Sequence, residues 1–422
     1  MLALLCSSLL AAGFSAQPNI VLLTVDTLRA DRLGCYGYSF PTSPNLDALA
    51  AQSLVFEDCL AEIPLTAPSF AAMLSSLFPR LTGLTRNGMR VRADVPLVQE
   101  YFQQAGYFTF AVQSNWTIKN RISGLGRGFS LYEDDFHKGR WGFIKSERYA
   151  DEVTDVALDI LTRRDPQRPF FAWIHYSDPH APYHWHRNHN PSGATRWGLP
   201  TKKRDNTRYD SEVAFTDFHI GRLLEALPKD TIVVFTADHG ESLHEHNYLG
   251  HGRRVYQTNI HVPLMIRAPG LAPGRTAAPA RGIDIAPTLL GLAAISRPTH
   301  MLGVDLLKET PPQDRVRILE TYGGAVFKLP GLKQKMQTAG PIRQTVVTEG
   351  WKLILGAAEP ELFYLPEDPY EERNLFSEQQ ERYKTLRALI NEWNAQHPRK
   401  PTKSDPLTSE DRRVLESLGY VD

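Results

Sequence analysis

Cysteine is scarce in this chain: Cys6, Cys35 and Cys59 are the only three in 422 residues. Three cannot build a disulfide framework, and no two have the spacing of a zinc knuckle. Cys35 and Cys59 either pair in an oxidising compartment or sit as two small buried residues. Net charge is also missing. Lys+Arg and Asp+Glu both number 47, so no nucleic-acid partner is indicated. No apolar run is long enough to cross a bilayer as a helix, and no transmembrane segment is expected. Residues 1–13 come nearest, with the length of the apolar part of an export signal but without the positive charge that usually precedes it. Segment 1–16 is therefore read as a candidate signal and the chain as periplasmic or secreted, with a cytoplasmic location left open. Cys6 lies too early to be an ordinary lipid-attachment cysteine. Internal repeats and low-complexity tracts are absent.

What is present is an ordinary globular composition, 42% hydrophobic and 22% charged. The length exceeds one usual compact domain, so a large domain with a smaller companion is expected. Short apolar runs at 19–25, 107–113, 170–177, 231–237 and 263–267 read as buried strands, each followed by a polar turn. Helical patterns lie between them at 45–53, 96–105, 146–164 and 208–227. Strands alternating with helices predict an α/β fold with a large, mostly parallel sheet flanked by helices. After about residue 300 the pattern changes. Short strands at 316–322, 344–349, 351–355 and 362–365, then helices at 378–396 and from 409, predict a smaller antiparallel sheet plus helix. The expected division is 17–300 and 301–422.

Ligands in open α/β sheets bind just past the carboxyl ends of strands. Asp26 ends the first predicted strand, and Asp238 and His239 end the one at 231–237. Two carboxylates and an imidazole at one sheet edge suit a divalent cation. A lone Asp there would serve equally as a helix cap. Histidine clusters in two windows: His175, His180, His184, His186 and His189, then His239, His244, His246, His251 and His261. Both windows follow predicted strands and can face the same edge, with His184, His186 and His189 the simplest to leave as surface residues. Thr66-Ala67-Pro68-Ser69 opens an apolar helical segment, and Pro68 suits a first turn. The Thr66 hydroxyl would lie at a helix N-terminus, where backbone N–H groups favour an anion, or it would be a plain N-cap. The Lys202-Lys203-Arg204 run reads as a solvated loop.

Taken in order, these pieces resemble the sulfatase family of the alkaline phosphatase superfamily from about residue 18 to the end. The opening Pro18-Asn19-Ile20-Val21-Leu22-Leu23-Thr24-Val25-Asp26-Thr27-Leu28-Arg29-Ala30-Asp31 resembles its first metal-binding strand. Gly34-Cys35-Tyr36-Gly37 and Pro44-Asn45-Leu46-Asp47 follow. Thr66-Ala67-Pro68-Ser69 falls at the family's Cys-x-Pro-Ser-Arg site, and Asp178-Pro179-His180-Ala181-Pro182-Tyr183 resembles its substrate-loop motif. Thr236-Ala237-Asp238-His239-Gly240-Glu241 resembles the second metal-binding element, and Gly250-His251-Gly252 falls where many members have Gly-Lys-Gly. Val262-Pro263-Leu264, Asp284-Ile285-Ala286-Pro287-Thr288, Asp368-Pro369 and Arg373-Asn374-Leu375 complete the series.

The resemblance implies a metal-dependent hydrolase of sulfate or phosphate and phosphonate esters. It also carries departures. Sulfatases oxidise the Cys, or in some bacteria Ser, to formylglycine. Threonine cannot give that aldehyde because its β-carbon bears a methyl group, so no formylglycine is expected. Phe70 stands where the family has Arg, and Thr27 where it has a second Asp. Several readings follow: Thr66 as a nucleophile, as in Thr-using branches of the superfamily; a phospho-group transferase; Thr66 merely orienting a metal-bound water; or a non-catalytic anion-binding relative. Under the first, one divalent ion (Ca²⁺, Mg²⁺, Mn²⁺ or Zn²⁺) is held by Asp26, Asp238, His239 and Thr66. His180 and His251 contact the ester oxygens or protonate the leaving group. Asp31 and Arg29 read first as structural residues, with Arg29 also a candidate anion contact, and Asp178, His175 and His246 are candidate supports. The expected partner is a small anionic ester, with a carbohydrate or lipid headgroup suggested by Trp141, Trp185 and Trp197 near the cleft.

Overall fold

The computed structural model describes residues 17–135, 147–193, 199–323 and 340–400. The candidate signal, the helix expected from 409, Trp141 and Trp197 lie outside them.

The central strand β1 (Ile20–Val25) is IVLLTV with every residue buried. Such a run has no polar face, so it needs neighbours on both edges and cover on both sides. It belongs to an eight-stranded sheet. The other members are β2 (Leu54–Phe56), β3 (Phe108–Val112), β4 (Leu131–Glu133), β5 (Phe170–Tyr176), β6 (Ile232–Ala237), β7 (Leu264–Arg267) and β8 (Gly274–Thr276). The order is β8-β2-β7-β6-β1-β5-β3-β4. Strands β4, β3, β5, β1 and β6 are mutually parallel; β7 is antiparallel to β6 and to β2. The large mostly parallel sheet is thus as predicted, with the antiparallel turn confined to one flank.

Helices Ala150–Arg163 and Thr201–Ala226 pack against each other on this frame. The second begins earlier than the 208 expected. Residues 202–204 are therefore the start of a helix and not a loop, although Lys202 and Lys203 remain exposed. Strands β2, β4 and β8 were not anticipated; at three residues each they are too short to show a period of two.

The C-terminal part forms an antiparallel sheet of β9 (Arg317–Thr321), β10 (Arg343–Thr348), β11 (Trp351–Leu355) and β12 (Glu361–Tyr364). Leu386, Ile390 and Trp393 of the Gln380–Gln396 helix cover Ile318, Val346, Leu353 and Leu362. Ala72, Phe78 and Ile283 join this same cluster, so the helix that carries Thr66 is buttressed by the smaller sheet. Buried ion pairs reinforce that side: Arg80–Glu320 at 2.6 Å and Arg281–Glu62 at 2.6 Å. Among the described residues, no helix is long and apolar enough to cross a membrane.

Candidate metal and ester site

Parallel register builds the site. Val25 is level with Tyr176 on β5 and with Ala237 on β6. The next residues along, Asp26, Ser177 and Asp238, therefore emerge side by side at the carboxyl edge. Asp26, Asp238 and His239 are all fully buried, and one ligand atom from each lies within 4.8 Å of the others. Thr27 turns the chain with φ of 56°, a left-handed conformation that is costly for a β-branched residue. Three bonds hold it: its N–H donates to Asp238 Oδ1 (3.1 Å), its hydroxyl to the Asp26 carbonyl (2.7 Å), and its carbonyl accepts from the Tyr209 hydroxyl (2.7 Å). Thr27 thus positions Asp238 through its backbone.

Thr66 is the first residue of the Thr66–Ser75 helix, and Leu65 occupies the N-cap. The N-cap alternative for Thr66 is therefore set aside. Its hydroxyl instead lies 3.4 Å from His239 Nε2. The helix start is fixed by Asn87 Oδ1, which accepts from Ala67 N (3.0 Å), and by Ser69, whose hydroxyl donates to the Asp238 carbonyl (2.7 Å). Phe70 is fully buried, with ring centroids 4.8 Å from both Trp173 and His175. It is a packing residue in this chain.

The donor set can be read atom by atom. His239 Nδ1 meets the Gly240 carbonyl at 2.9 Å. A carbonyl only accepts, so Nδ1 carries the proton and Nε2 presents a lone pair. That lone pair sits 3.3 Å from Asp238 Oδ2 and 3.9 Å from Asp26 Oδ1. Both of these carboxylate oxygens are buried and have no hydrogen-bond partner. Ligand atoms of Asp26, Asp238 and His239 thus converge beside the Thr66 hydroxyl, with no hydrogen-bond partner for either carboxylate oxygen. Such a set is costly unless a cation joins it, so the residues fit a divalent ion. Burial, then the charge of Asp26, pushes the Asp238 carboxyl well above its usual range. Asp26 is held below the usual range: burial opposes this, but the His175, His180 and His239 imidazoles outweigh it. Burial and the neighbouring His251 drop His239 to about 3.

Two further imidazoles border the cluster. His251 lies 4.6 Å from His239 and 5.1 Å from His180 between ring centroids. Each is backed by a buried carboxylate. Glu147 Oε1 is 3.3 Å from His180 Nδ1, and Glu241 Oε1 is 3.2 Å from His251 Nδ1. Burial alone would lower His180, but the bond to Glu147 and the charges of Asp26, Glu147 and Glu241 lift it to about 9. Asn115 donates to Asp26 Oδ2 at 2.5 Å, and His175 bonds Thr24 through Nδ1 at 3.0 Å while its Nε2 lies 3.8 Å from Asp26 Oδ2.

Not every expected residue joins. Arg29 is buried and directed elsewhere. Its Nε and Nη2 pair with Asp31, and Nη1 bonds Glu245 and the Glu241 carbonyl, with N···O distances from 2.7 to 3.1 Å. Four of its five donors are so engaged, as in a structural guanidinium. His246 stacks on Tyr256 (3.7 Å) and meets the Tyr370 carbonyl, and it is not part of the Asp26, Asp238 and His239 group. Asp178 accepts from Ala150 N (3.2 Å) and groups with His186 and Glu212. Asn115, Glu147, Glu241 and Asn87 were missed. For Asn115 the available signal was its place just past the end of β3.

A sequence model described as sulfatase matches residues 18–295, and one described as N-sulphoglucosamine sulphohydrolase, C-terminal, matches residues 244–396. A choline-sulfatase of Rhizobium meliloti (strain 1021) is 25% identical over 433 residues, covering 86% of this chain and 83% of that protein. An ulvan-active sulfatase of Formosa agariphila is 27% identical over 453 residues, covering 96% of this chain and 85% of that protein. Among solved structures, one in complex with its substrate D-glucosamine-2-N,6-O-disulfate superposes with a TM-score of 0.73 at 21% identity, covering 90% of this chain and 98% of the other. The phosphonate monoester hydrolase of Agrobacterium radiobacter superposes with a TM-score of 0.72 at 18% identity, covering 93% of this chain and 98% of the other. With the match spanning well over half its length, the chain belongs to the sulfatase family of the alkaline phosphatase superfamily, and is a sulfatase-like ester hydrolase.

Proposed function

We propose that this hydrolase is metal-dependent and uses Thr66 as its nucleophile against small anionic sulfate, phosphate or phosphonate esters. The observation that carries the reading is the convergence of the Thr66 hydroxyl on the bare Nε2 of His239 beside the two unpartnered oxygens of Asp26 and Asp238. Asp26, Asp238 and His239 would hold one divalent ion, with Thr66 Oγ1 beside them. When bound, that ion lowers the pKa of the Thr66 hydroxyl and offsets charge on the ester oxygens.

The residues of the chain do the rest. Thr66 Oγ1 attacks sulfur or phosphorus, its proton passing to solvent, and the bond to the leaving alcohol breaks. His180, cationic at neutral pH, binds the anion and gives a proton to the departing oxygen together with His251. Water then cleaves the threonyl ester and regenerates the hydroxyl. Asn115 and Thr27 hold the two carboxylates in place throughout. The D-glucosamine-2-N,6-O-disulfate bound as substrate by one similar structure suggests a sugar-borne ester, and export to the periplasm or beyond is consistent with the apolar N-terminal segment.

The test is a side-by-side assay of aryl sulfate, phosphate monoester, phosphate diester and phosphonate ester, with and without chelator. Chelator-sensitive turnover of phosphorus esters above sulfate supports threonine chemistry. Turnover that the chelator leaves unchanged would count against this mechanism, and no turnover of any, with metal bound, would favour a transferase or a binder.

A further inference from the structure

Asp368-Pro369 and Arg373-Asn374-Leu375 follow the last strand of the smaller sheet and take no part in the metal cluster. Between them, Glu371 is buried although its backbone is left-handed, with φ of 60°. A residue other than glycine keeps that conformation only where its surroundings enforce it. Two contacts do so. Glu371 Oε1 pairs with Lys352 Nζ at 2.5 Å, with both side chains buried, and Oε2 accepts from Gln257 N at 2.6 Å. Lys352 lies within β11, opposite Val347 on β10 and Phe363 on β12, so the carboxylate is anchored in the smaller sheet. Gln257 opens the short helix Gln257–Ile260.

That helix carries Asn259, which is fully buried and bonds two segments of the site. Its carbonyl accepts from Gly240 N (2.9 Å), one residue past His239. Its Oδ1 accepts from the Ser242 hydroxyl (2.9 Å), and its Nδ2 donates to the Gly250 carbonyl (3.1 Å), one residue before His251. A Cβ on Gly240 would meet the Thr258 carbonyl oxygen at 2.1 Å, so the helix and the turn after β6 are already in close approach. The smaller sheet side reaches the same loop at two more places. Thr321 Oγ1 on β9 donates to the Gly252 carbonyl (2.6 Å), and His246 Nε2 meets the carbonyl of Tyr370, the residue before Glu371, at 3.1 Å. The backbone is thus held on both sides of His251, by Asn259 before it and by Thr321 after it.

We propose that Glu371 is a positioning residue for the ester site. By holding Gln257 N it fixes the helix whose Asn259 sets the turn after His239 and the backbone leading to His251, and Lys352 keeps its carboxylate in place. This rests on the reading of His239 and His251 as members of the site proposed above. Through this link the smaller sheet shapes a site whose candidate ligands all come from the large one.

The test compares two double variants of the full chain, chosen so that no buried charge loses its partner. Lys352→Met with Glu371→Gln keeps an acceptor for Gln257 N. Lys352→Met with Glu371→Leu fills the space and removes it. Hydrogen–deuterium exchange read by mass spectrometry should be faster over 238–252 in the leucine pair only, with β1 as protected as in the wild type. In that pair kcat/KM for the best ester should fall by about ten- to a hundredfold, and the glutamine pair should recover it. Asn259→Ala, which leaves the ion pair intact, should reproduce both effects and serves if the leucine pair does not fold. Exchange over 238–252 that is the same in the two folded pairs, or unchanged in Asn259→Ala, would overturn the proposal. So would faster exchange spread equally over β1, the mark of general destabilisation. If the wild type turns over no ester, the catalytic reading fails, while the exchange still decides whether Glu371 sets the loop.

Discussion

Replacing Asp238 by Asn removes one charge from a buried pair but leaves an acceptor for the two backbone donors that Asp238 Oδ1 holds, Thr27 N at 3.1 Å and His239 N at 2.8 Å. The ligand atoms of Asp26 and Asp238 lie within 4.8 Å. At an effective dielectric constant near 20, two unit charges at that distance repel by about 3.5 kcal/mol. Without a cation the protein avoids this by keeping Asp238 protonated, which is the direction of its shift. A divalent ion displaces that proton, so its affinity should rise with pH. At a cation concentration a hundred times the Kd, the folded state gains about 2.7 kcal/mol. For a chain of this size that is a rise in Tm of roughly 3–5 °C. Thermal melts with and without Ca²⁺, Mg²⁺, Mn²⁺ and Zn²⁺ read it directly. The wild type should gain stability with at least one ion. Asp238→Asn should match or exceed the metal-free wild type and lose the gain. If the variant keeps the full cation-induced shift, or the wild type shows none with any ion, the ligand assignment is wrong.

Three other outcomes follow from the same structure. His180 is lifted to about 9, so it carries its proton below that pH and loses it above; kcat/KM should fall as pH rises through about 9, and Glu147→Gln should move that limb to lower pH. A limb unmoved in the variant would separate it from His180. Phe70→Ala should cost about 3–5 kcal/mol in urea unfolding, since the ring is fully buried against Trp173 and His175; a loss below about 1 kcal/mol would mean that this contact is not a packing contact. Arg29→Met should lower stability by about 1–3 kcal/mol, allowing for the partial exposure of Asp31 and Glu245, and leave KM for the ester unchanged. A tenfold higher KM with unchanged Tm would restore Arg29 to the anion site.

The strands that matter most were legible because they are buried on both faces. β1, β5 and β6 are buried throughout and mostly apolar, and their ends announce Asp26, Asp238 and His239 without any contact information. The parallel register then makes those ends coincide. What the sequence hid depends on contacts between residues far apart in the chain. Arg29 looks like a free cation until Glu245 is brought to it across 216 positions. Thr27 reads as a lost ligand, because its contribution is a backbone N–H in a left-handed turn. Asn115 and Glu147 act through side chains whose partners, Asp26 and His180, lie on other strands or loops. Thr66 looked like a helix cap for a related reason. Its side chain turns toward His239, and a sequence pattern cannot distinguish that from a bond to its own helix.

The central claim is that Thr66 performs the attack, and Thr66→Ala tests it most directly. The variant removes the hydroxyl and keeps the helix start held by Asn87 and Ser69. Turnover of the best ester substrate should fall by at least on the order of a thousandfold with the metal-induced Tm shift largely kept. A covalent adduct on Thr66, trapped by acid quench and located by mass spectrometry in the wild type, should be absent from the variant. Unchanged turnover in Thr66→Ala would contradict the account, whatever the metal data showed.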